Sequence, residues 1–288
     1  MTKLRYSSVY YTSPDGLKLH YREYLPDGEP LATYLCMPGL TRNANDFGTI
    51  AEYLQDQGCR VICAEQRGRG NSEWDNNPEN YDPAIYCRDM FHLIRNMLKS
   101  PPDLYAIGTS LGGFMSVMMN ASDPTIFKGI IINDMGLELN QKGLDRIKSY
   151  VGKDKVINSW GEAIAGVKNA NSSVYPNYSD KEWDQFTRLL YVEKAGKPVA
   201  NYDPAISTNL NEKPETAAPD LWPLMETLKS VPVVLIRGEL SDILSSQVAE
   251  RMQQEHGNLA LITVSNVGHC PTFDTCEEKS AILALSKR

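Results

Sequence analysis

Ser110 is the residue in this chain whose setting most directly implies chemistry. It lies in Gly108-Thr109-Ser110-Leu111-Gly112, between the apolar stretch Leu104–Ile107 and a helical stretch rich in Met and Val. A G-x-S-x-G run between a buried strand and a helix is a sharp turn that lifts the serine hydroxyl above a sheet. Glycines are needed there because side chains at their positions would clash. The helix that follows offers backbone N–H groups and a partial positive charge where an oxyanion would form.

A serine hydroxyl is a weak nucleophile at neutral pH and needs a base. The chain has four histidines. His20 falls in an N-terminal hairpin, His92 inside a helix, and His256 at the end of a surface helix. His269 stands apart in Asn266-Val267-Gly268-His269-Cys270-Pro271, a loop straight after the last strand, and it is assigned as the base. A carboxylate must orient such a histidine. Asp242 follows the strand Val231–Arg237 through Gly238-Glu239-Leu240-Ser241 and takes this role. Asp134, after the strand Gly129–Ile132, is the alternative acid or a structural carboxylate, and Glu239 is a third choice. The oxyanion donors are assigned to the backbone N–H groups of Leu40, in the loop Pro38-Gly39-Leu40-Thr41, and of Leu111.

The elements that would hold these residues alternate along the chain. Val9 to Thr12 and Leu17 to Tyr24 alternate on either side of Asp15-Gly16 and form a hairpin. Strands follow at Ala32–Met37, Arg60–Ala64, Leu104–Ile107, Gly129–Ile132, Val231–Arg237 and Leu259–Val264. Helices lie between them: one through Phe47, Ile50, Ala51 and Leu54, one lined by Tyr86, Met90, Ile94 and Met97 and stopped by Pro101-Pro102, and one after Ser110. Continuous apolar strands alternating with helices predict a mostly parallel sheet covered on both faces.

From Leu137 to Ala218 the rhythm changes, and no strand is evident. Helical patterns run through Leu144, Ile147 and Val151, and through Trp160, Ile164 and Val167. Ser179-Asp180-Lys181-Glu182 is a capping box ahead of Trp183, Phe186 and Leu190. The expected organisation is an α/β core in two parts, 1–136 and 219–288, interrupted by a helical lid at 137–218. Trp160, Trp183 and Phe186 are candidates to line a substrate site, with Tyr175 and Tyr191 beside them.

The 288 residues, 42% of them hydrophobic, suffice for one α/β core. A net charge of −7 argues against nucleic acid and anionic membrane as partners. Apolar runs are too short to span a bilayer, and the N-terminus lacks the apolar region of a signal peptide. The six cysteines form no C-x-x-C pair. Cys36 and Cys63 lie in apolar strands, Cys270 reads as packing, and a cytoplasmic setting is expected. No metal cluster or nucleotide-binding loop is evident, so no cofactor is expected. The glycosylation-type triplets at Asn171 and Asn177 read as chance.

With Ser110, Asp242 and His269 in that order, the chain resembles the α/β-hydrolase superfamily over nearly its whole length. Glu65-Gln66-Arg67-Gly68-Arg69-Gly70-Asn71-Ser72 is similar to the family's D-x-R-G-x-G-x-S turn, in which the arginine has a structural role. Arg237-Gly238-Glu239-Leu240-Ser241-Asp242 resembles its acid-bearing turn, and Gly268-His269 its histidine loop. Two departures stand out: Pro38-Gly39 replaces His-Gly at the oxyanion loop, and Glu65 replaces Asp.

The resemblance implies hydrolysis of a small carboxylic ester through an acyl-serine. Lactone, thioester and C–C bond hydrolysis are its neighbours. Serine at the elbow argues against the haloalkane dehalogenase and epoxide hydrolase chemistries, which use aspartate. Thr109 stands where the C–C hydrolases carry Asn. A ligand sensor with a vestigial triad is the alternative from another class.

Overall fold

Alternation around a tight turn folds the first residues into an antiparallel hairpin, β1 (Ser7–Thr12) and β2 (Lys18–Tyr24). The computed structural model describes residues 4–101, 103–153, 157–208 and 220–287. Met1 to Lys3, Pro102 of the helix stop and the 218/219 boundary therefore lie outside the described residues.

After the hairpin come β3 (Thr33–Met37), α1 (Gly48–Asp56), β4 (Arg60–Glu65), α2 (Pro83–His92), β5 (Leu104–Thr109), α3 (Leu111–Ser122) and β6 (Gly129–Asn133). The next stretch holds α4 (Gln141–Tyr150), α5 (Trp160–Asn171), α6 (Asp180–Leu190), and a short pair of strands, β7 (Tyr191–Lys194) and β8 (Lys197–Ala200). The chain closes with α7 (Met225–Leu228), β9 (Val233–Gly238), α8 (Ser246–His256), β10 (Leu259–Val264) and α9 (Cys276–Leu285).

Eight strands form one sheet in the order β1-β2-β4-β3-β5-β6-β9-β10. The six strands from β4 to β10 in that order run parallel, and β2 runs against them, pairing antiparallel with both β1 and β4. Alternate residues of each strand face opposite cores. Leu35, Ile62, Ala106, Ile130 and Leu235 join side chains of α2, α3, α7 and α8 on one face. Cys36, Cys63, Ile107, Ile131 and Ile236 join those of α1 and α9 on the other. Strands covered on both faces have no polar side, which explains their unbroken apolar sequence.

Three local expectations change. The stretch read as free of strands contains the β7–β8 hairpin. Its two-residue turn, Ala195-Gly196, has positive φ at both positions, as a tight hairpin requires. Pro198 hid the signal, but a two-stranded ribbon tolerates a missing N–H donor. Met97 is exposed rather than aligned with Tyr86 and Met90, because α2 widens into a π turn at Leu93–Met97. That extra residue per turn brings Leu98 into the core instead. His256 is buried, with Nε2 2.8 Å from the Leu228 carbonyl.

Helices α5 and α6 and the segment between them build a small core from Val167, Val174, Tyr175 and Trp183. The capping box at Ser179 and Glu182 starts α6, with both reciprocal hydrogen bonds formed. Among the described residues, no helix is long and apolar enough to cross a membrane.

Candidate active site

Ser110 is the residue between β5 and α3, and its backbone is strained. Its φ of 52° and ψ of −113° lie where few side-chain-bearing residues are found. The strain is held by close packing of the turn. A Cβ on Gly108 would overlap the Gly112 carbonyl, and a Cβ on Gly112 would overlap the carbonyl of Met37 on β3. The Ser110 N–H also donates to the Asn133 carbonyl at 2.9 Å, tying the turn to the end of β6.

His269 lies in the loop after β10. Its Nε2 is 2.9 Å from Ser110 Oγ, and its Nδ1 is 2.7 Å from Asp134 Oδ2. The carboxylate on the histidine is thus Asp134 and not Asp242. Asp134 is fully buried and directly follows β6, with a φ of 54°. Its Oδ1 accepts the Gly238 N–H at 2.9 Å, and its Oδ2 also accepts from Ser241 Oγ at 2.7 Å. Three donors replace the water that this buried charge loses.

Asp242 belongs to a different interaction. Its two oxygens accept from Arg146 of α4 at 2.5 and 2.9 Å. Burial by itself would raise its carboxyl, but the Arg146 hydrogen bond and charge outweigh burial and hold it below the ordinary value. Glu239 accepts from the Asn266 N–H at 2.8 Å, and among the described residues neither it nor Asp242 is hydrogen-bonded to His269. Both aspartates follow adjacent parallel strands, so chain order alone does not separate them. The left-handed backbone at Asp134 turns its side chain onto the histidine, whereas the longer turn after β9 carries Asp242 out to the inserted helices.

The loop Pro38-Gly39-Leu40-Thr41 is fixed by its own carbonyls. Gly39 O accepts the Arg42 N–H at 3.1 Å. In a trans peptide the N–H points opposite the C=O, so the Leu40 N–H is directed away from Arg42. The loop presses against the elbow, since a Cβ on Gly39 would lie 3.7 Å from Ser110 Cβ. Leu111 is the first residue of α3, and its N–H has no partner within the helix.

Above these groups lies a cleft of 1520 Å³ lined by Ser110, His269, Leu40 and residues of the insertion. Of the three aromatic candidates only Phe186 lines it, with the Arg42 guanidinium 5.0 Å from its ring centre. Trp183 is buried in the small core of the insertion. Trp160 is turned outward, its Nε1 donating to Glu193 at 3.2 Å and its ring covered by Arg188. Tyr175 and Tyr191 do line the cleft.

Arg42, and the contacts that Tyr175 and Gly268 make, carry no signal in the sequence. Arg42 lines the cleft and is paired with Asp46. The Tyr175 hydroxyl brackets one residue of the histidine loop, donating to Cys270 O at 2.9 Å and accepting from Cys270 N at 3.2 Å. Gly268 N donates to Val174 O at 2.7 Å beside it. The insertion is therefore bonded directly to the loop that carries His269. Cys270 also faces the cleft, and burial, with the charges of Asp134 and Asp46, pushes its thiol well above the ordinary value.

The turn after β4 has the structural role expected of it. Arg67 is fully buried and bonded to Asp89, Asp15 and Asp75. Glu65, in place of the usual Asp, meets His20 Nδ1 at 2.8 Å and accepts the Asn71 N–H at 2.6 Å. That pairing gives His20 a structural task.

An eight-stranded, largely parallel sheet with an elbow serine, a histidine loop and a buried acid defines a class. The family model for the alpha/beta hydrolase fold matches residues 35–275, and this chain belongs to that family. It is similar to the crystal structure of an alpha/beta hydrolase from Novosphingobium aromaticivorans, with a TM-score of 0.90 and 36% identity over 99% of both chains. It is 28% identical over 270 residues to a 3-hydroxybutyrate-oligomer hydrolase of Cupriavidus necator, covering 91% of this chain and 90% of that protein. A 2-(acetamidomethylene)succinate hydrolase of Mesorhizobium japonicum is 24% identical over 234 residues, or 80% of this chain and 79% of that one.

Proposed function

We propose that this chain is a serine hydrolase that cleaves carboxylic esters through an acyl-Ser110 intermediate. The observation that carries the reading is the hydrogen-bonded run from Ser110 Oγ through His269 to the buried Asp134. Asp134 fixes the tautomer with the proton on Nδ1, which leaves Nε2 free to take the Ser110 proton. Ser110 Oγ then attacks the ester carbonyl carbon, and its oxygen gains charge facing the Leu40 and Leu111 N–H groups. His269 gives the proton to the leaving alcohol. A water that loses its proton to His269 attacks the acyl-serine and releases the acid, restoring Ser110.

The cleft favours an extended substrate over a small one. Ordinary ligand pockets enclose roughly 300–1,000 Å³, and this one measures 1520 Å³. The Cupriavidus necator relative acts on 3-hydroxybutyrate oligomers, and a short oligoester would use such a volume. In this reading residues 137–218 form the lid that shapes the site, and the unpaired cysteine pattern supports a cytoplasmic setting.

Labelling with a fluorophosphonate, with the adduct mapped by mass spectrometry, tests the nucleophile. Ser110 takes the label in the wild type, and Ser110→Ala takes none. Hydrolysis of p-nitrophenyl esters of rising chain length, and of 3-hydroxybutyrate dimers and trimers, tests the substrate class. Equal background rates for wild type and Ser110→Ala would remove the esterase reading in favour of a ligand sensor.

A further inference from the structure

Arg69 is the most unusual charged residue outside the reacting groups. Its side chain is fully buried, yet among the described residues no carboxylate lies within ion-pair distance. Arg67, two residues earlier, is also fully buried but meets three carboxylates. Burying a cation without a counter-charge is costly, by several kcal/mol per ion in general. Part of that cost is offset by Tyr86 and Tyr81, whose ring centres lie 4.6 and 5.7 Å from the guanidinium carbon. Nη1 donates to the Arg67 carbonyl at 2.8 Å, and Nη2 is buried with no hydrogen-bond partner among the described residues.

The remaining bond explains the placement. Arg69 Nε donates to the carbonyl of Leu40 at 2.8 Å. That carbonyl belongs to the peptide after Leu40. The peptide before it is held by the Arg42 N–H on Gly39 O. The two peptide planes on either side of Leu40 are thus fixed from independent directions, and with them the aim of the Leu40 N–H. Arg69 is fixed in turn by its own backbone, which bridges Tyr202 just after β8, and by its neighbour Gly70, whose N–H donates to Asn201 O at 3.0 Å.

We propose that Arg69 is a positioning residue for the oxyanion loop, setting the Leu40 N–H through the Leu40 carbonyl. The inference rests on the esterase reading above. The planar guanidinium supplies one donor to Leu40 and another to Arg67 in fixed relation, which an ammonium cannot reproduce. Losing a well-placed oxyanion donor slows turnover by ~10²–10³ in general. A donor that remains but is misdirected should cost less.

Arg69→Lys and Arg69→Gln are compared with wild type, with rates expressed per site titrated by fluorophosphonate, so that any misfolded fraction drops out. The expected result is a kcat lower by about 10- to 100-fold, with KM within about twofold. Affinity for butylboronic acid, which forms a tetrahedral adduct with an active serine, falls in parallel with kcat/KM. Affinity for the product acid does not change. A merely structural Arg69 would reduce the number of titratable sites and lower Tm, but leave kcat per site and boronate affinity at wild-type values, and that result overturns the proposal. A wild type that neither hydrolyses esters nor takes the label overturns the esterase reading itself, which is a separate outcome.

Discussion

His269 Nδ1 lies 2.7 Å from Asp134 Oδ2, across 135 residues of sequence and between two loops that leave different strands of one sheet. Asp134→Asn should therefore lower kcat by ~10⁴ with the fold intact, because an amide supports the wrong histidine tautomer. Asp242→Asn, which touches Arg146 and not His269, should keep kcat within about threefold. Ester hydrolysis by the two variants side by side checks this. The reverse ranking would return the acid role to Asp242.

The Asp242–Arg146 pair should appear in stability rather than in rate. A carboxyl held below its ordinary value contributes stability that is present above the unfolded pKa of about 3.9 and lost as pH falls through the folded value. Wild type should exceed Asp242→Asn by ~1 kcal/mol near pH 7, and the difference should vanish in strong acid, where both side chains are neutral. Urea unfolding at a series of pH values measures it. A difference that persists at full size below pH 2 would rule out the ion pair as its source.

Tyr175→Phe removes the hydroxyl that brackets Cys270 and leaves the ring stacked on Tyr178 at 4.6 Å. Losing both hydrogen bonds of this hydroxyl, if about 1 kcal/mol of it is felt in the placement of His269, should lower kcat roughly fivefold. KM for short esters should stay close to wild type. Steady-state kinetics resolve the split, and an effect on KM alone would mean that Tyr175 serves only as a wall of the cleft.

Gly112→Ala should be among the most damaging single-methyl additions in the chain. The new Cβ meets backbone, the Met37 carbonyl, which cannot swing aside as a flexible side chain could. A loss of at least ~3 kcal/mol is expected, seen as low soluble yield and a depressed Tm.

Cys270 directly follows His269, yet it should be dispensable. Its thiol is held protonated near neutrality by burial and by the charges of Asp134 and Asp46. Thiolate is the reactive form. Cys270→Ala should retain hydrolysis within about threefold, and iodoacetamide at neutral pH should leave turnover unchanged. Inactivation through Cys270 would contradict this environment.

The sheet was legible because its strands are buried on both faces, so their apolar runs are continuous and their ends are marked by Gly, Pro and Asp. Ser110 and His269 were legible for a related reason. The elbow needs glycines at fixed offsets to allow close backbone approach, and the histidine loop sits immediately after a strand. Phe186 lines the cleft and Trp160 and Trp183 do not, yet the sequence does not separate the three. Helical spacing shows which residues share a face and not what that face meets.

The amino-acid sequence by itself thus determined the class of fold and singled out Ser110 and His269, since each depends on local pattern. Tertiary structure alone decided which aspartate meets His269, because Asp134 and Asp242 leave neighbouring parallel strands and satisfy the same chain order. The choice follows from side-chain direction: a left-handed φ turns Asp134 inward, and Arg146, from a helix inserted about a hundred residues earlier, draws Asp242 away. The same holds for Arg69 and Leu40, which are 29 positions apart and share no motif. Contacts between loops that meet only after the sheet has formed leave no periodic trace in the chain.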